Sequence, residues 1–188
     1  VEIPKPGSKE TRPLGIPTVR DRVVQTALVH VLEPIFDHTF HPQSFGFRHG
    51  LGCHDALRCV EKWLDEGYVY VVDADLKGYF DTIPKDRLLA LVKQKVSDSA
   101  VIALVKKYLD QAIMSELATW IPEKGVPQGA VLSPMLSNVY LNPLDHLKRS
   151  LLSSIARFAA DLTTFDIASG IYSRTMTSGY AYACVVSC

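Results

Sequence analysis

The chain has 188 residues, 47% of them hydrophobic and 21% charged, enough to bury a sizeable core without disulfide or metal staples. Twenty Lys and Arg balance twenty Asp and Glu, so the basic excess usual in proteins that grip a phosphate backbone is absent overall and any such surface must be local. No apolar run approaches the roughly 20 residues needed to cross a bilayer, and no basic-then-apolar leader opens the sequence, so a soluble, cytoplasmic chain without a membrane partner is expected.

In chain order, Val1-Glu2-Ile3-Pro4 and Arg12-Pro13-Leu14-Gly15 flank Pro6-Gly7-Ser8, which predicts an extended arm turned back on itself. Thr18 followed by Asp21 resembles a capping box, and Val24, Leu28, Val31 and Ile35 then recur at helical spacing, predicting a helix with that stripe in the core. After a loop from Gly46 to Gly52, Ala56, Leu57, Val60, Trp63 and Leu64 outline a second helix ending near Gly67. Tyr68 to Leu76 is rich in Tyr and Val and is the best strand in the sequence. Further helical patterns cover about Lys85 to Val96 and Ser99 to Ile113, followed by a short hairpin around Trp120. The loop Gly125-Val126-Pro127-Gln128-Gly129 precedes a helix started by Ser133-Pro134, with Pro suited to the first turn. Ile155 to Ala159 reads as a second short apolar strand, ending in one acid, Asp161. From Asp166 to Cys188 there is no Leu, Glu or Lys, the one composition shift that marks a boundary. Cys53, Cys59, Cys184 and Cys188 form no CxxC pair and have no His at zinc-ligand spacing, so they are read as reduced and structural.

Three segments carry candidate chemistry. Asp73 and Asp75 end the Tyr68–Leu76 strand two residues apart, hence on one face, and a carboxylate at the end of a buried strand is costly unless it meets a cation or donors. An ordinary strand-end turn is the plainer reading. In GVPQGAVLSP, Gly125 and Gly129 permit close backbone approach and Gln128 offers a donor and an acceptor at the tip; by itself this is also a surface turn before a helix. The Asp161 segment says little alone.

Taken together, IPKPGSKETRPLGIPTVRDRVVQTAL, FGFRHGLGCHDAL, DADLKGYFDTI and GVPQGAVLSPMLSNVYLNPLD resemble, in order, successive blocks of group II intron reverse transcriptases and maturases, from Val1 to about Leu147. The resemblance implies an α+β fold of fingers and palm, helices packed on a small antiparallel sheet holding Tyr68–Leu76 and Ile155–Ala159, with the thumb absent. Residues 1–67 would be fingers-like, 68–165 palm-like with interleaved helices, and 166–188 a divergent tail. It implies RNA-directed DNA polymerisation, a nucleotidyl transfer with Mg2+ or alternatively Mn2+, on an RNA template or intron RNA with a DNA primer and deoxynucleotides; a homodimer is left open.

By the same resemblance Asp75 and Asp161 are the catalytic, metal-binding acids, and the carbonyl of Leu76 adds an oxygen. Phe80 walls the sugar and Gln128 lies beside the incoming nucleotide. Lys5 and Arg12 face the triphosphate, where a guanidinium fork suits phosphate oxygens; two solvated charges on a hairpin is the alternative. Arg20, Arg22 and Arg48 contact template phosphates or cap helices. Where the family has an aromatic residue followed by Ala-Asp-Asp, this chain has Phe158-Ala159-Ala160-Asp161, so Ala160 replaces a principal metal ligand and impaired synthesis is expected. The rivals are a non-catalytic intron RNA-binding, splicing (maturase) module and a degenerate remnant.

Overall fold

A computed structural model describes residues 2–4, 11–67, 70–76, 78–115, 118–161 and 182–187. Side chains are described up to Leu147, except at Glu2, Arg12, Pro13, 70–75, Ser115 and Ala118. The chain gathers into two compact units, Val1–Phe40 with Gly78–Asn142, and His41–Lys77 with Pro143–Cys188.

The first unit opens with the predicted arm: β1 (Glu2–Pro4) pairs antiparallel with β2 (Thr11–Pro13), Ile3 opposite Arg12. Helix α1 (Val19–Phe36) starts where the capping signal puts it. Thr18 Oγ1 accepts from the Asp21 amide at 3.2 Å and donates to the Asp21 carboxylate at 2.7 Å, satisfying one of the helix's orphan donors. The buried face is Gln25, Leu28, Leu32 and Phe36. The expected stripe of Val24, Leu28, Val31 and Ile35 is therefore displaced: of these four only Leu28 is buried, and Val31 is 55% exposed. The helix carries apolar residues on two overlapping stripes, and periodicity cannot choose between them; packing does, and it seats a glutamine in the core.

Helices α3 (Tyr79–Thr82), α4 (Lys85–Lys93) and α5 (Ser99–Leu109) follow. Asp98 caps α5 by accepting from Ala100 and Val101 N–H. That helix stops at Leu109, short of the expected Ile113, because Ile113–Ser115 forms strand β4 with β5 (Ala118–Trp120), the antiparallel hairpin expected at Trp120. Leu28, Leu32, Phe36, Ile83, Leu88, Val92, Val105, Leu132, Leu136 and Val139 share one buried cluster, so α1, α4, α5 and the start of α6 (Ser133–Asp161) enclose a single core.

Lys85, only 9% exposed, donates to the Pro122 carbonyl and lies 3.5 Å from Asp110. Lys106, one helical turn before Asp110, also donates to that carboxylate. The hydrogen bond from Lys106 and the charges of Lys106 and Lys85 hold the Asp110 carboxyl below its ordinary value of 3.8, against the opposing effect of burial. A depressed carboxylate contributes stability that is fully present above the ordinary value and is lost as pH falls through the depressed one. Asp110→Asn should accordingly destabilise the fold at about pH 6 and be close to neutral at about pH 2. Urea melts of both chains at the two pH values check this; a penalty undiminished in acid would contradict it.

The second unit holds α2 (Cys53–Asp65), whose start is fixed by the Asp55 carboxylate accepting from Gly52 N–H at 2.9 Å and whose end passes into Gly67 at φ 91°. Strand β3 (Tyr70–Asp75) lies inside the expected Tyr68–Leu76. Its partner is not the expected Ile155–Ala159. It pairs in parallel with β6 (Tyr182–Ser187), Tyr70 opposite Tyr182 and Asp75 opposite Ser187. Residues 155–161 instead continue α6. Leu147, Leu151, Ile155 and Phe158 repeat at spacings of four and three, and Ala156, Ala159 and Ala160 are the strongest of helix formers. A short, mostly apolar stretch before an acid suggests a strand, and the longer helical period overrides it. The α+β class stands, with two antiparallel ribbons and one parallel pair among the described residues. No helix among the described residues is long and apolar enough to cross a membrane.

Candidate functional site

Gly78, at φ 60°, turns the chain out of the segment after β3 and caps α3. This short helix presents Tyr79, Phe80 and Asp81. The Tyr79 hydroxyl donates to the Ser137 carbonyl at 2.7 Å, and its ring meets Phe80 edge-on at 5.8 Å. Phe80 is half-buried, packed against the core cluster. One side of its ring is thus fixed by the core.

The loop 125–133 is braced from three directions. Gly125 N–H donates to the Ile83 carbonyl and Val126 N–H to the Phe80 carbonyl, both at 2.8 Å. A Cβ on Gly125 would lie 2.8 Å from the Phe80 carbonyl oxygen and 2.9 Å from the Asp81 Cα, so glycine lets the loop lie directly on α3. At the other end Gly15 N–H donates to the Gln128 carbonyl at 2.8 Å, and a Cβ on Gly129 would come within 2.2 Å of the Gly15 oxygen. From within the core, Gln25 Oε1 accepts from Leu132 N–H at 3.3 Å. Gln25 is fully buried, and its Nε2 has no hydrogen-bond partner among the described residues. The Ser133 hydroxyl closes the turn by donating to the Pro127 carbonyl at 2.6 Å. This scaffold carries Gln128, whose Nε2 lies 3.0 Å from both carboxylate oxygens of Asp81.

Sequence reasoning named Phe80 and Gln128 and missed three residues that hold them. Asp81 figures in the sequence only within the DADLKGYFDTI block, and Gly15 only as arm. Gln25 falls one position off the stripe assigned to the core, and a polar residue on a buried helical face was the signal that could have found it.

The other candidates are placed as follows. Asp75 closes β3 and Asp161 closes α6, with both side chains outside the described residues; Leu76 is 42% exposed. Lys5 lies outside the described residues, and Arg12 sits in β2 with only its backbone described. Arg20 and Arg22 are exposed in the first turn of α1. Arg48 donates to the His41 and Ser44 carbonyls at 3.2 and 2.9 Å, which ties its loop together.

Residues 3–166 match the family described as reverse transcriptase (RNA-dependent DNA polymerase). The chain belongs to the reverse transcriptase family. Among its relatives are protein YkfC of Escherichia coli (strain K12), 40% identical over 84% of this chain and 42% of YkfC, and the group II intron-encoded protein LtrA of Lactococcus lactis subsp. cremoris, 38% identical over 76% of this chain and 24% of LtrA. An uncharacterized 91 kDa protein in the cob intron of Schizosaccharomyces pombe is 39% identical over 76% of this chain and 18% of its own length. The chain therefore spans less than half of each of these relatives. A solved partial Cas6-RT-Cas1–Cas2 complex aligns over 74% of this chain and 24% of its own, with 27% identity and a TM-score of 0.48. The expected group II intron relationship is borne out by LtrA and by the putative COX1/OXI3 intron 1 protein of Saccharomyces cerevisiae, 35% identical.

Proposed function

We propose that this chain is the fingers and palm portion of an RNA-directed DNA polymerase of group II intron type, with residues 1–67 serving as fingers and 68–165 as palm, and that it is impaired as a catalyst. The observation that carries the reading is the bracing of the Gln128 loop on the Phe80 carbonyl. A residue for the sugar and a residue for the nucleotide are thereby held on one rigid scaffold, as a templated polymerase requires. Phe80 excludes a 2′-hydroxyl by bulk and Gln128 lies beside the incoming deoxynucleotide. Lys5 and Arg12 face its triphosphate, and Arg20, Arg22 and Arg48 follow the RNA template.

Reverse transcriptases use divalent metal ions, with magnesium the natural choice for hard carboxylate oxygens and manganese its substitute. The donors on this chain do not fit a two-ion site. Asp75 and Asp161 supply carboxylates and Leu76 a carbonyl, but Ala160, where the family pattern has the first of two aspartates, has no side-chain oxygen to offer. That favours a second reading, an intron RNA-binding and splicing module that no longer synthesises DNA.

The two readings separate in one pair of assays run on the chain as it stands and on one repaired by Ala160→Asp with an added helical thumb. Extension of an RNA-templated DNA primer supports the polymerase reading. Stimulated splicing of a group II intron RNA without extension supports the RNA-binding one. In the same repaired chain Phe80→Ala should lower the preference for deoxy- over ribonucleotides by about tenfold or more, since a lost steric wall is worth a few kcal/mol of discrimination. The ratio of kcat/KM values reports it, and an unaltered ratio would leave Phe80 as a core residue alone.

A further inference from the structure

We infer that Asp81 is the positioning residue for Gln128, fixing which end of the glutamine amide faces a bound nucleotide. The inference rests on Gln128 being part of the nucleotide site. A glutamine at a loop tip can offer either its NH2 or its carbonyl oxygen, and the two ends of the amide have the same shape. Asp81 decides between them, because an ionised carboxylate only accepts. With Nε2 at 3.0 Å from both carboxylate oxygens, the nitrogen end of the amide is turned to Asp81 and Oε1 is turned away from it. Gln128 makes no other side-chain hydrogen bond among the described residues, and Asp81 forms no ion pair among them.

The pair is placed by backbone. Asp81 N–H donates to the Gly78 carbonyl at 3.0 Å, which sets the turn of α3. Gly125 packs against the Asp81 Cα at a distance that no larger residue would allow. Forty-seven residues apart in sequence, the two side chains are brought together by this contact. The consequence is a selective one: Gln128 presents Oε1 as an acceptor, so the ligand group that meets that oxygen is a donor, a hydroxyl or an N–H.

The test uses the chain as it stands, labelled with nitrogen-15. In the unmodified protein the side-chain amide protons of Gln128 should exchange with water severalfold more slowly than those of Gln43 and Gln94, which are exposed. Asp81→Ala should abolish that difference while the backbone amides of Gly125 and Val126, bonded to Ile83 and Phe80, stay protected. Exchange of Gln128 as fast as that of Gln43 in the unmodified chain would overturn the inference, and so would slow exchange that survives Asp81→Ala. A deoxynucleoside triphosphate is then titrated in. It should shift the Gln128 side-chain signals, with severalfold weaker affinity in Asp81→Ala. A protected amide that no triphosphate perturbs would remove Gln128 from the nucleotide site while leaving its tie to Asp81 intact, so the two failures are distinguishable.

Discussion

Restoring aspartate at position 160 in a chain that also carries a helical thumb should raise RNA-templated primer extension by about a thousandfold or more over the same chain with Ala160, a transition-state effect of about 4 kcal/mol. In the proposed reading Asp75, Leu76 and Asp161 supply too few hard oxygens to hold two ions in the in-line geometry that phosphoryl transfer needs. Duplex affinity is a separate requirement. With 20 basic and 20 acidic residues, the sequence has no net positive charge to draw a duplex to it, and phosphate contacts are salt-sensitive. The four combinations, with and without Ala160→Asp and with and without a thumb, separate the two. Ala160→Asp alone should tighten manganese binding measured by calorimetry yet leave extension very poor. The thumb alone should improve duplex binding without restoring synthesis. Robust extension by the unmodified chain would show that Asp161 serves as the second acid and that Ala160 is no defect.

Gly129→Ala should be the most damaging single substitution in the loop. The residue sits at φ 92°, where an L side chain is strained, and its Cβ would be driven to 2.2 Å from the Gly15 carbonyl oxygen and 3.1 Å from the Leu14 side chain. The oxygen belongs to the backbone and cannot swing aside as a flexible side chain would, and strain and overpacking each cost about 1–3 kcal/mol. A destabilisation of about 3 kcal/mol should lower Tm by about 6–12 °C in a chain of this size. Gly46→Ala is the control, with nothing within 4 Å of the added carbon and no positive φ. A Gly129→Ala protein that melts with the parent would mean that the loop and the arm do not touch as described.

What the sequence determined was whatever is written within a few residues. The Thr18 and Asp21 cap, the strand ending at Asp75, the turn at Gly78, the hairpin at Trp120 and the start of α6 at Ser133 all follow from local chemistry. The choice of Phe80 and Gln128 came from the resemblance, whose motifs are contiguous. Tertiary structure decided the rest. Val31 and Leu32 are both apolar neighbours on α1, and only the placing of Leu32 in the core cluster that also holds Leu136 and Ile83 leaves it fully buried and Val31 55% exposed. Whether Ile155–Ala159 extends or coils depends on the helix leading into it and on which strand β3 pairs with, and that partner is more than a hundred residues away in sequence. The Asp81 to Gln128 pair has the same origin: neither residue signals the other, and glycine at 125 brings them into hydrogen-bonding range because the backbones of two distant segments can then touch. Local rules fix the elements and the reactive groups, whereas faces, partners and orientations are set by contacts between residues far apart in the chain.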